Sequence, residues 1–441
     1  MILWAAGGTS RVARVCPSSH KDSTLTASSP RGGAFRAGIV GLAAILSGIG
    51  SYVLLIVVSK NTTQLEYSEF AVFWSLTVTI GLGFYYPIEQ ETAREVSGRP
   101  ASSTGGMARF VLSGAGLVTV LTSLLALLLL TPAGLDYIGL PGLAIALIAS
   151  FAAYAVQFPL RGLLSGSQRT SSYSGVIAVE GLLRVVLPVG LVLLGFHDPV
   201  AFALVVAVAA IVAVLPALLQ RDRSWLVHAP VSASVFASRA GRLIVAAFSI
   251  QLLLNSGTLL AKAVAEGTDS ALAGQILACL SIARIPVFAY QVLQILYLPR
   301  LSADWKSGDI AAAHRTLTVA VGAAVVVGLL VVGGMAVLGQ WVTGLLFGAD
   351  LVLSLPGVVL VSAGVALFIV ALVVSDGALA TGGHTLVVRS WAVAVVCAAP
   401  AVLFVDDVLL RATAPLIVGA TVALVQLLAG LLRRFRTHTP A

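Results

Sequence analysis

Polar side chains lie within two apolar stretches of the chain that are each long enough to cross a bilayer. On the first stretch four of them recur at intervals of three or four residues: Gln251, Asn255, Thr258 and Lys262. This spacing places all four along one face of a helix. On the second stretch Arg284 sits about halfway along, and Gln291 follows two turns later. A charge at the bilayer centre costs about 2.5–3.5 kcal/mol and normally faces a protein interior or a wet cavity. The two stretches therefore predict a hydrophilic path inside a bundle of membrane helices.

Three further ionisable residues fall within apolar segments. Glu180 and Arg184 stand four residues apart, so they can neutralise each other on one helix face. Asp376 lies near the inner end of its segment, where we expect it to be solvated, with a role in proton coupling as the alternative.

The composition is that of an integral membrane protein. Of the 441 residues 59% are hydrophobic and only 10% are charged, and the mean hydropathy is +1.02. A soluble globular chain is about 25% charged. The apolar runs are about 20 residues long, the length of a spanning helix, whereas the strands of a membrane barrel alternate over about ten. We therefore expect an all-α membrane fold.

Hydropathy predicts about 12 transmembrane helices. Their approximate ranges are 37–59, 69–89, 108–131, 141–160, 173–195, 199–219, 243–263, 271–298, 316–339, 353–376, 385–405 and 412–432.

The basic residues are concentrated in the loops on one side of these spans. With the N-terminus inside, most of the 26 lysines and arginines fall in cytoplasmic segments, including Arg161 and Arg169 between spans four and five. The positive-inside rule therefore accounts for the net charge of +8 without nucleic acid. It predicts that both termini are cytoplasmic in a multi-pass protein of the cell membrane.

The longest internal loop divides the spans into six and six. We expect two six-helix lobes around a central cavity, related by an axis along the membrane normal. The predicted divisions are a disordered cytoplasmic tail at 1–35, lobes at 36–219 and 243–433, a cytoplasmic linker at 220–242 and a second tail at 434–441.

Signals of catalysis or of a cofactor are missing from the sequence. Cys16, Cys279 and Cys397 lie far apart and show neither metal-ligand nor disulfide spacing. The sequence contains no phosphate-binding glycine loop, no paired carboxylates on a sizeable loop and no histidine cluster. We therefore expect no cofactor, no ATP-driven pump and no enzymatic activity.

Several short motifs stand out in the spans and their links. They are spans one and two with their link and the Gly-Leu-Gly at 81–83, Arg-Ile-Pro-Val-Phe at 284–288, Leu-Pro-Arg-Leu-Ser at 298–302, and Leu-Phe-Gly-Ala-Asp at 346–350. The first resembles the opening of polysaccharide flippases of the multidrug/oligosaccharidyl-lipid/polysaccharide exporter superfamily. The next two resemble the exit from the eighth span of those proteins, and the last resembles a later link. The chain departs from the family in lacking an Asp shortly after Asn255 and a Tyr shortly after Gly348.

The resemblance implies a transporter that flips a polyprenyl-pyrophosphate-linked oligosaccharide across the bacterial cytoplasmic membrane by alternating access. Arg284, Arg184 and Gln291 would then bind the substrate, the arginines at the pyrophosphate, because a guanidinium presents a planar fork of donors. The amides and hydroxyl of Gln251, Asn255 and Thr258 would meet sugar hydroxyls. Glu180 or Asp376 would couple transport to an ion. Glycan polymerases or glycosyltransferases would be partners.

Each assignment has a structural alternative. Arg284 can cap a neighbouring helix, Glu180 and Arg184 can form a purely structural pair, and the polar stripe can hydrogen-bond between helices. Lys262 can extend to the headgroups. At the level of function, a cation-coupled multidrug exporter on the same fold, a membrane glycan polymerase or glycosyltransferase, and a non-transporting scaffold are the rivals.

Overall fold

The computed structural model describes residues 30–97, 107–219, 232–264 and 271–438, and the regular structure in these ranges is entirely helical. The N-terminal half contains eight helices: α1 (Pro30–Asn61), α2 (Gln64–Ile80), α3 (Tyr86–Ser97), α4 (Met107–Leu127), α5 (Pro132–Ile138), α6 (Pro141–Gly166), α7 (Thr170–Leu193) and α8 (Pro199–Leu218). The C-terminal half contains seven: α9 (Ala233–Val264), α10 (Leu272–Ala283), α11 (Ile285–Ser307), α12 (Ile310–Phe347), α13 (Leu355–Ala380), α14 (His384–Phe404) and α15 (Val408–His438).

The helices correspond to the twelve predicted spans. Within the described residues eleven segments are long and apolar enough to cross a membrane, and α10 with α11 makes the twelfth crossing, at the position predicted for span eight. With twelve crossings, α1 begins and α15 ends at the same face of the bundle, which we call the proximal face. The opposite face is the distal face.

Some predicted divisions do not coincide with the ends of the helices. The tail predicted to be disordered reaches residue 35, yet α1 already begins at Pro30. The predicted linker extends to 242, but α9 begins at Ala233, and α15 continues through 434–438 of the second tail. Residues 1–29, 220–231 and 439–441 of these segments lie outside the described residues.

Local sequence explains where the helices that follow the distal turns begin. Thr63 and Glu66 form a capping box at the start of α2, in which each side chain binds the other residue's backbone N–H. Proline occupies the first turn of α5, α6, α8 and α13, where its missing N–H leaves no helical bond unmade.

The second crossing is continuous from Gln64 to Ser97 and contains one π-helical turn, Gly81–Tyr85, between α2 and α3. A Cβ on Gly81 would lie 2.8 Å from the Tyr154 ring, and one on Gly83 would lie 3.0 Å from Phe248 Cα. The Gly-Leu-Gly motif thus lets α6 and α9 approach this crossing closely.

The apolar cores largely follow the two halves of the chain. One cluster of buried apolar side chains is built from α9–α15 with the addition of Val72, and two others come almost wholly from α1–α8. Between the halves, contacts run along the length of the crossing formed by α2 and α3, which packs against α9. We call this contact the α2–α9 seam.

Candidate functional site

Arg284 lies where the eighth crossing is interrupted. The helix α10 ends at Ala283 and α11 begins at Ile285, with Arg284 between them and Pro286 in the first turn of α11. Pro286 has no N–H to donate to the carbonyl of Ile282, four residues earlier, and its ring crowds that carbonyl, which accounts for the interruption of the helix at this point. The break places a guanidinium and the amino end of α11 at mid-depth in the bundle.

The Arg284 side chain has no acidic partner among the described residues. Its guanidinium carbon lies 5.9 Å from the centre of the Tyr52 ring, on α1 of the other half. Its Nε is buried without a hydrogen-bond partner, and among the described residues no carboxylate forms an ion pair with it. The Tyr52 hydroxyl itself donates to the Ser281 carbonyl, 2.7 Å away, one turn before Arg284. Within the described part of the chain, Arg284 is therefore a cation without a counter-charge where the two halves meet.

Arg184, by contrast, is neutralised. Its Nη2 lies 2.5 Å from Glu180 Oε1, and Gln157 donates to the other Glu180 oxygen at 2.8 Å. Its Nη1 donates to Ser51 Oγ at 3.0 Å. This is the pairing that the four-residue spacing predicts, and Gln157 satisfies the second oxygen of the carboxylate.

The two arginines meet successive residues of α1. Arg184, from the N-terminal half, binds Ser51, and Arg284, from the C-terminal half, lies over Tyr52. A close crossing of α1 and α7 brings Arg184 there, because a Cβ on Gly50 would lie only 2.1 Å from the Gly181 carbonyl oxygen. Residues 51 and 52 thus mark a point on which two predicted substrate contacts converge.

The stripe on α9 is buried in the α2–α9 seam and does not line an open chamber. Gln251, Asn255 and Thr258 are at most 6% exposed. The Asn255 amide donates to the Gln251 carbonyl at 2.9 Å, but Gln251 Oε1, Asn255 Oδ1 and Thr258 Oγ1 have no partner. Each unpaired buried group costs about 1–3 kcal/mol. Interhelical hydrogen bonding, the structural alternative for this stripe, does not satisfy these three atoms.

Lys262, at the distal end of the stripe, lies 4.0 Å from Glu69 on α2, and its side chain is 10% exposed. The expectation that it extends to the headgroups is therefore wrong. The carboxylate on the neighbouring crossing keeps the ammonium inside the seam.

Asp376 is buried, so the expectation that it is solvated is wrong. Three side chains of α11 donate to its Oδ2: Tyr290, Gln294 at 2.7 Å and Tyr297 at 2.9 Å. These donors recur every three or four residues, so their common helix face is visible in the sequence. Among the described residues no cation pairs with Asp376. The side chain of Gln291, the glutamine that was singled out, lies outside the described residues.

A second buried ion pair in the N-terminal half was missed. Arg161 was assigned to a cytoplasmic loop, but α6 continues to Gly166, and Arg161 Nε lies 3.2 Å from Glu89 Oε2. Tyr173 donates to Glu89 Oε1 at 2.9 Å. The apolar run continues past Arg161 to Leu164, and this was the signal that span four is longer.

Comparisons with known proteins concern the fold. The chain matches no protein-family model and no curated protein. Among solved structures it is similar to an inward-facing multidrug resistance MATE family transporter of the MOP superfamily, with a TM-score of 0.67, 14% identity and coverage of 92% of this chain and 99% of that chain. It is also similar to the lipid II flippase MurJ in an inward closed conformation. That match has a TM-score of 0.66 and 10% identity, and it covers 92% of this chain and 90% of that chain.

The eukaryotic MATE transporter AtDTX14 has a TM-score of 0.58 and 16% identity, over 92% of this chain and 98% of that chain. At these identities the likeness concerns the fold, which is that of the MOP-superfamily transporters.

Proposed function

We propose that this protein is a membrane transporter that flips a polyprenyl-pyrophosphate-linked oligosaccharide across the bacterial cytoplasmic membrane for the synthesis of a cell-surface polysaccharide. The proximal face would be cytoplasmic, with both termini there. Two six-helix lobes would rock to open the space between them to either face. The headgroup would pass between the lobes while the polyprenyl tail stays in lipid.

One observation supports the proposal that the substrate contains an anionic group. Arg284 is the cation at the meeting point of the two halves that no described carboxylate neutralises. An uncompensated charge within a membrane bundle is costly, and membrane proteins retain such groups for function. A guanidinium suits a pyrophosphate, whose oxygens accept two parallel hydrogen bonds. The same charge would repel a cationic substrate.

Other residues would complete the path. Arg184 would make a weaker contact with the headgroup than Arg284, since Glu180 already pairs with one nitrogen of the Arg184 guanidinium. Gln251, Asn255 and Thr258 would bind sugar hydroxyls, and Gln291 would extend the polar lining of the eighth crossing. Asp376, which has no cationic partner among the described residues, and Glu180 are the candidate coupling residues. Glycan polymerases or glycosyltransferases would act next to it, and the protein itself would catalyse no covalent step.

Substitution of Arg284 tests the proposal. In liposomes that contain a fluorescent polyprenyl-pyrophosphate oligosaccharide, we expect Arg284→Ala to flip the lipid about tenfold more slowly, because a hydrogen bond to a charged group contributes about 1.5–3 kcal/mol. Arg284→Lys should fall between the two, since it keeps the charge without the planar fork. The matched control is Arg389→Ala, which removes an exposed arginine. Wild-type flipping by Arg284→Ala would remove this residue from the mechanism.

A second candidate is a cation-coupled small-molecule exporter. It is favoured by the likeness to transporters described as multidrug resistance and MATE proteins and by Asp376, a buried carboxylate that accepts hydrogen bonds from Gln294 and Tyr297. Resistance to cationic drugs on overexpression, without any change in surface glycan, would favour it over the flippase.

A further inference from the structure

Four buried polar atoms on or near the two arginines have no hydrogen-bond partner among the described residues. They are Arg184 Nε, Arg284 Nε, Trp74 Nε1 and Tyr67 Oη. Trp74 is 4% exposed and Tyr67 is fully buried. Buried polar atoms in folded proteins are nearly always paired, so each exception requires an explanation. The candidate substrate contacts already include both arginines, whereas the two aromatic side chains have no assigned role.

Each of these aromatic side chains, both on α2, interacts with one arginine. The Arg184 guanidinium carbon lies 5.9 Å from the centre of the Trp74 ring, which is a cation–π distance. The charge of Arg284 acts on the Tyr67 hydroxyl. Tyr67 and Trp74 stand seven residues apart, close to two helical turns, so they lie on the same face of α2. One face of α2 therefore presents an unpaired polar group to each arginine.

The helix α1 adds one contact to each arginine. Arg184 Nη1 donates to Ser51 Oγ at 3.0 Å, and the Arg284 guanidinium carbon lies 5.9 Å from the centre of the Tyr52 ring. The contacts thus form two sets, each made of one arginine, one residue of α1 and one aromatic residue of α2. We call them the α1–α2 cluster: Arg184 with Ser51 and Trp74, and Arg284 with Tyr52 and Tyr67.

The unpaired atoms of the cluster require an acceptor. Guanidinium and indole nitrogens only donate, and a tyrosine hydroxyl donates as well as accepts. By contrast, the unpaired Gln251 Oε1 and Asn255 Oδ1 on α9 are acceptors. The cluster carries the charges of two arginines, and Glu180 pairs with one nitrogen of Arg184. A ligand that suits the cluster therefore brings negatively charged oxygens that accept several hydrogen bonds, as phosphate groups do.

Resting on the proposed function, we propose that Trp74 and Tyr67 are further substrate-binding residues, whose indole N–H and hydroxyl donate to the pyrophosphate held by the two arginines. The two sets of the cluster match the two phosphate groups of a pyrophosphate. A pyrophosphate at this point supplies the acceptor that all four unpaired atoms need. A cationic ligand supplies none and is repelled by the arginines.

Unfolding temperatures in detergent separate this role from a structural one. We expect Tyr67→Phe to leave the unfolding temperature of the ligand-free protein unchanged or higher, because it removes a buried, unpaired hydroxyl. Its matched control, Tyr85→Phe, should lower the temperature, because the Tyr85 hydroxyl is hydrogen-bonded at 2.9 Å.

The tryptophans give the same comparison. Trp74→Phe and Trp391→Phe remove the same volume, but only Trp391 Nε1 is hydrogen-bonded, at 3.0 Å to Ser375 Oγ. We therefore expect the Trp391 variant to be the less stable of the two. The reverse order in either comparison would show that the aromatic residues of the cluster have structural partners, and would overturn the proposal.

Binding of inorganic pyrophosphate tests the site without any transport assay. In protein that contains 5-fluorotryptophan, we expect pyrophosphate to shift the fluorine resonance that is lost in Trp74→Phe and to leave that of Trp391 unchanged. By calorimetry, Trp74→Phe and Tyr67→Phe should each weaken pyrophosphate binding by about fivefold, the effect of one hydrogen bond. Trp391→Phe and Tyr85→Phe should bind like the wild type.

Three results of these measurements would overturn the binding site. They are an unshifted Trp74 resonance, equal pyrophosphate binding by all four variants, and no binding by the wild type. Inorganic phosphate bound as tightly as pyrophosphate would contradict the match between the two sets of the cluster and two phosphate groups.

Lipid flipping in liposomes distinguishes this proposal from the proposed function. We expect Trp74→Phe and Tyr67→Phe each to flip the fluorescent polyprenyl-pyrophosphate oligosaccharide about fivefold more slowly than the wild type. Wild-type flipping by both variants, with Arg284→Ala impaired, would exclude Trp74 and Tyr67 and leave the proposed function standing. Pyrophosphate binding as expected, without any flipping by the wild type, would contradict the proposed function and leave the binding site standing.

Discussion

Basic side chains inside the bundle differ in whether the fold neutralises them. Arg161, Arg184 and Lys262 each have a carboxylate within 4.0 Å on the same or a neighbouring crossing. Arg284 has none among the described residues. Because an internal pair needs no ligand to balance it, this contrast distinguishes Arg284, the candidate substrate contact, from the paired cations, which sequence position does not.

The Glu180–Arg184 pair gives a prediction at this scale. We expect Arg184→Met to lower the unfolding temperature strongly, because breaking a buried pair leaves an unpaired charge and costs about 3–5 kcal/mol. The double variant Glu180→Gln with Arg184→Met should recover most of that loss, as measured by thermal unfolding in detergent. Arg389→Met, at an exposed position, is the control. Equal losses in the single and double variants would show that the pair is not self-contained.

At the scale of elements, one close crossing and one helix break position the site. The Gly50–Gly181 contact draws α1 against α7, so that Ser51 reaches Arg184. Small residues at such crossings let membrane helices approach closely, where packing and not the hydrophobic effect holds them together. The break at Arg284 then presents the second arginine to Tyr52 of the same helix.

A Gly50→Ala substitution, which adds one methyl group, tests the close contact between α1 and α7. We expect Gly50→Ala to lower both the unfolding temperature and the flipping rate, because its Cβ would lie 2.1 Å from the Gly181 carbonyl oxygen and force α1 away from α7. Gly41→Ala on α1 and Gly190→Ala on α7 are matched controls, since nothing lies within 4 Å of a Cβ at either position. Unchanged flipping by Gly50→Ala would mean that the α1–α7 contact does not position the site.

For the whole molecule, the question is how an ion gradient would move the two halves. Asp376 connects α13 to three donors on α11, the proximal part of the broken crossing that carries Arg284 at its start. Protonation of this carboxylate removes the charge that these donors stabilise, so it would loosen α11 from α13. The broken crossing therefore links a protonatable group to the candidate substrate contact.

Asp376→Asn tests this link. We expect the variant to flip lipid down a concentration gradient but to lose acceleration by a proton gradient, because an amide does not ionise. The measurement is lipid flipping in liposomes with and without a pH difference. Asp350→Asn, at an exposed carboxylate near the distal turn, is the control. Proton-driven flipping by Asp376→Asn at the wild-type rate would exclude Asp376 as the coupling residue.

The sequence by itself determined the crossings and one contact of the candidate site. Span positions are predictable because each crossing is a local run of about 20 apolar residues, and the Glu180–Arg184 pair follows from spacing on one helix. Pro286 is a local feature of the sequence that accounts for the helix break at Arg284.

Only the tertiary structure decided which polar side chains are paired. Three features depend on segments that are tens to hundreds of residues apart in the sequence. They are the burial of Asp376 against α11, the Arg161–Glu89 pair and the unpaired polar stripe in the α2–α9 seam. Hydropathy treats every polar residue in a span alike, whereas the energy of each one in a membrane depends on whether a distant partner reaches it.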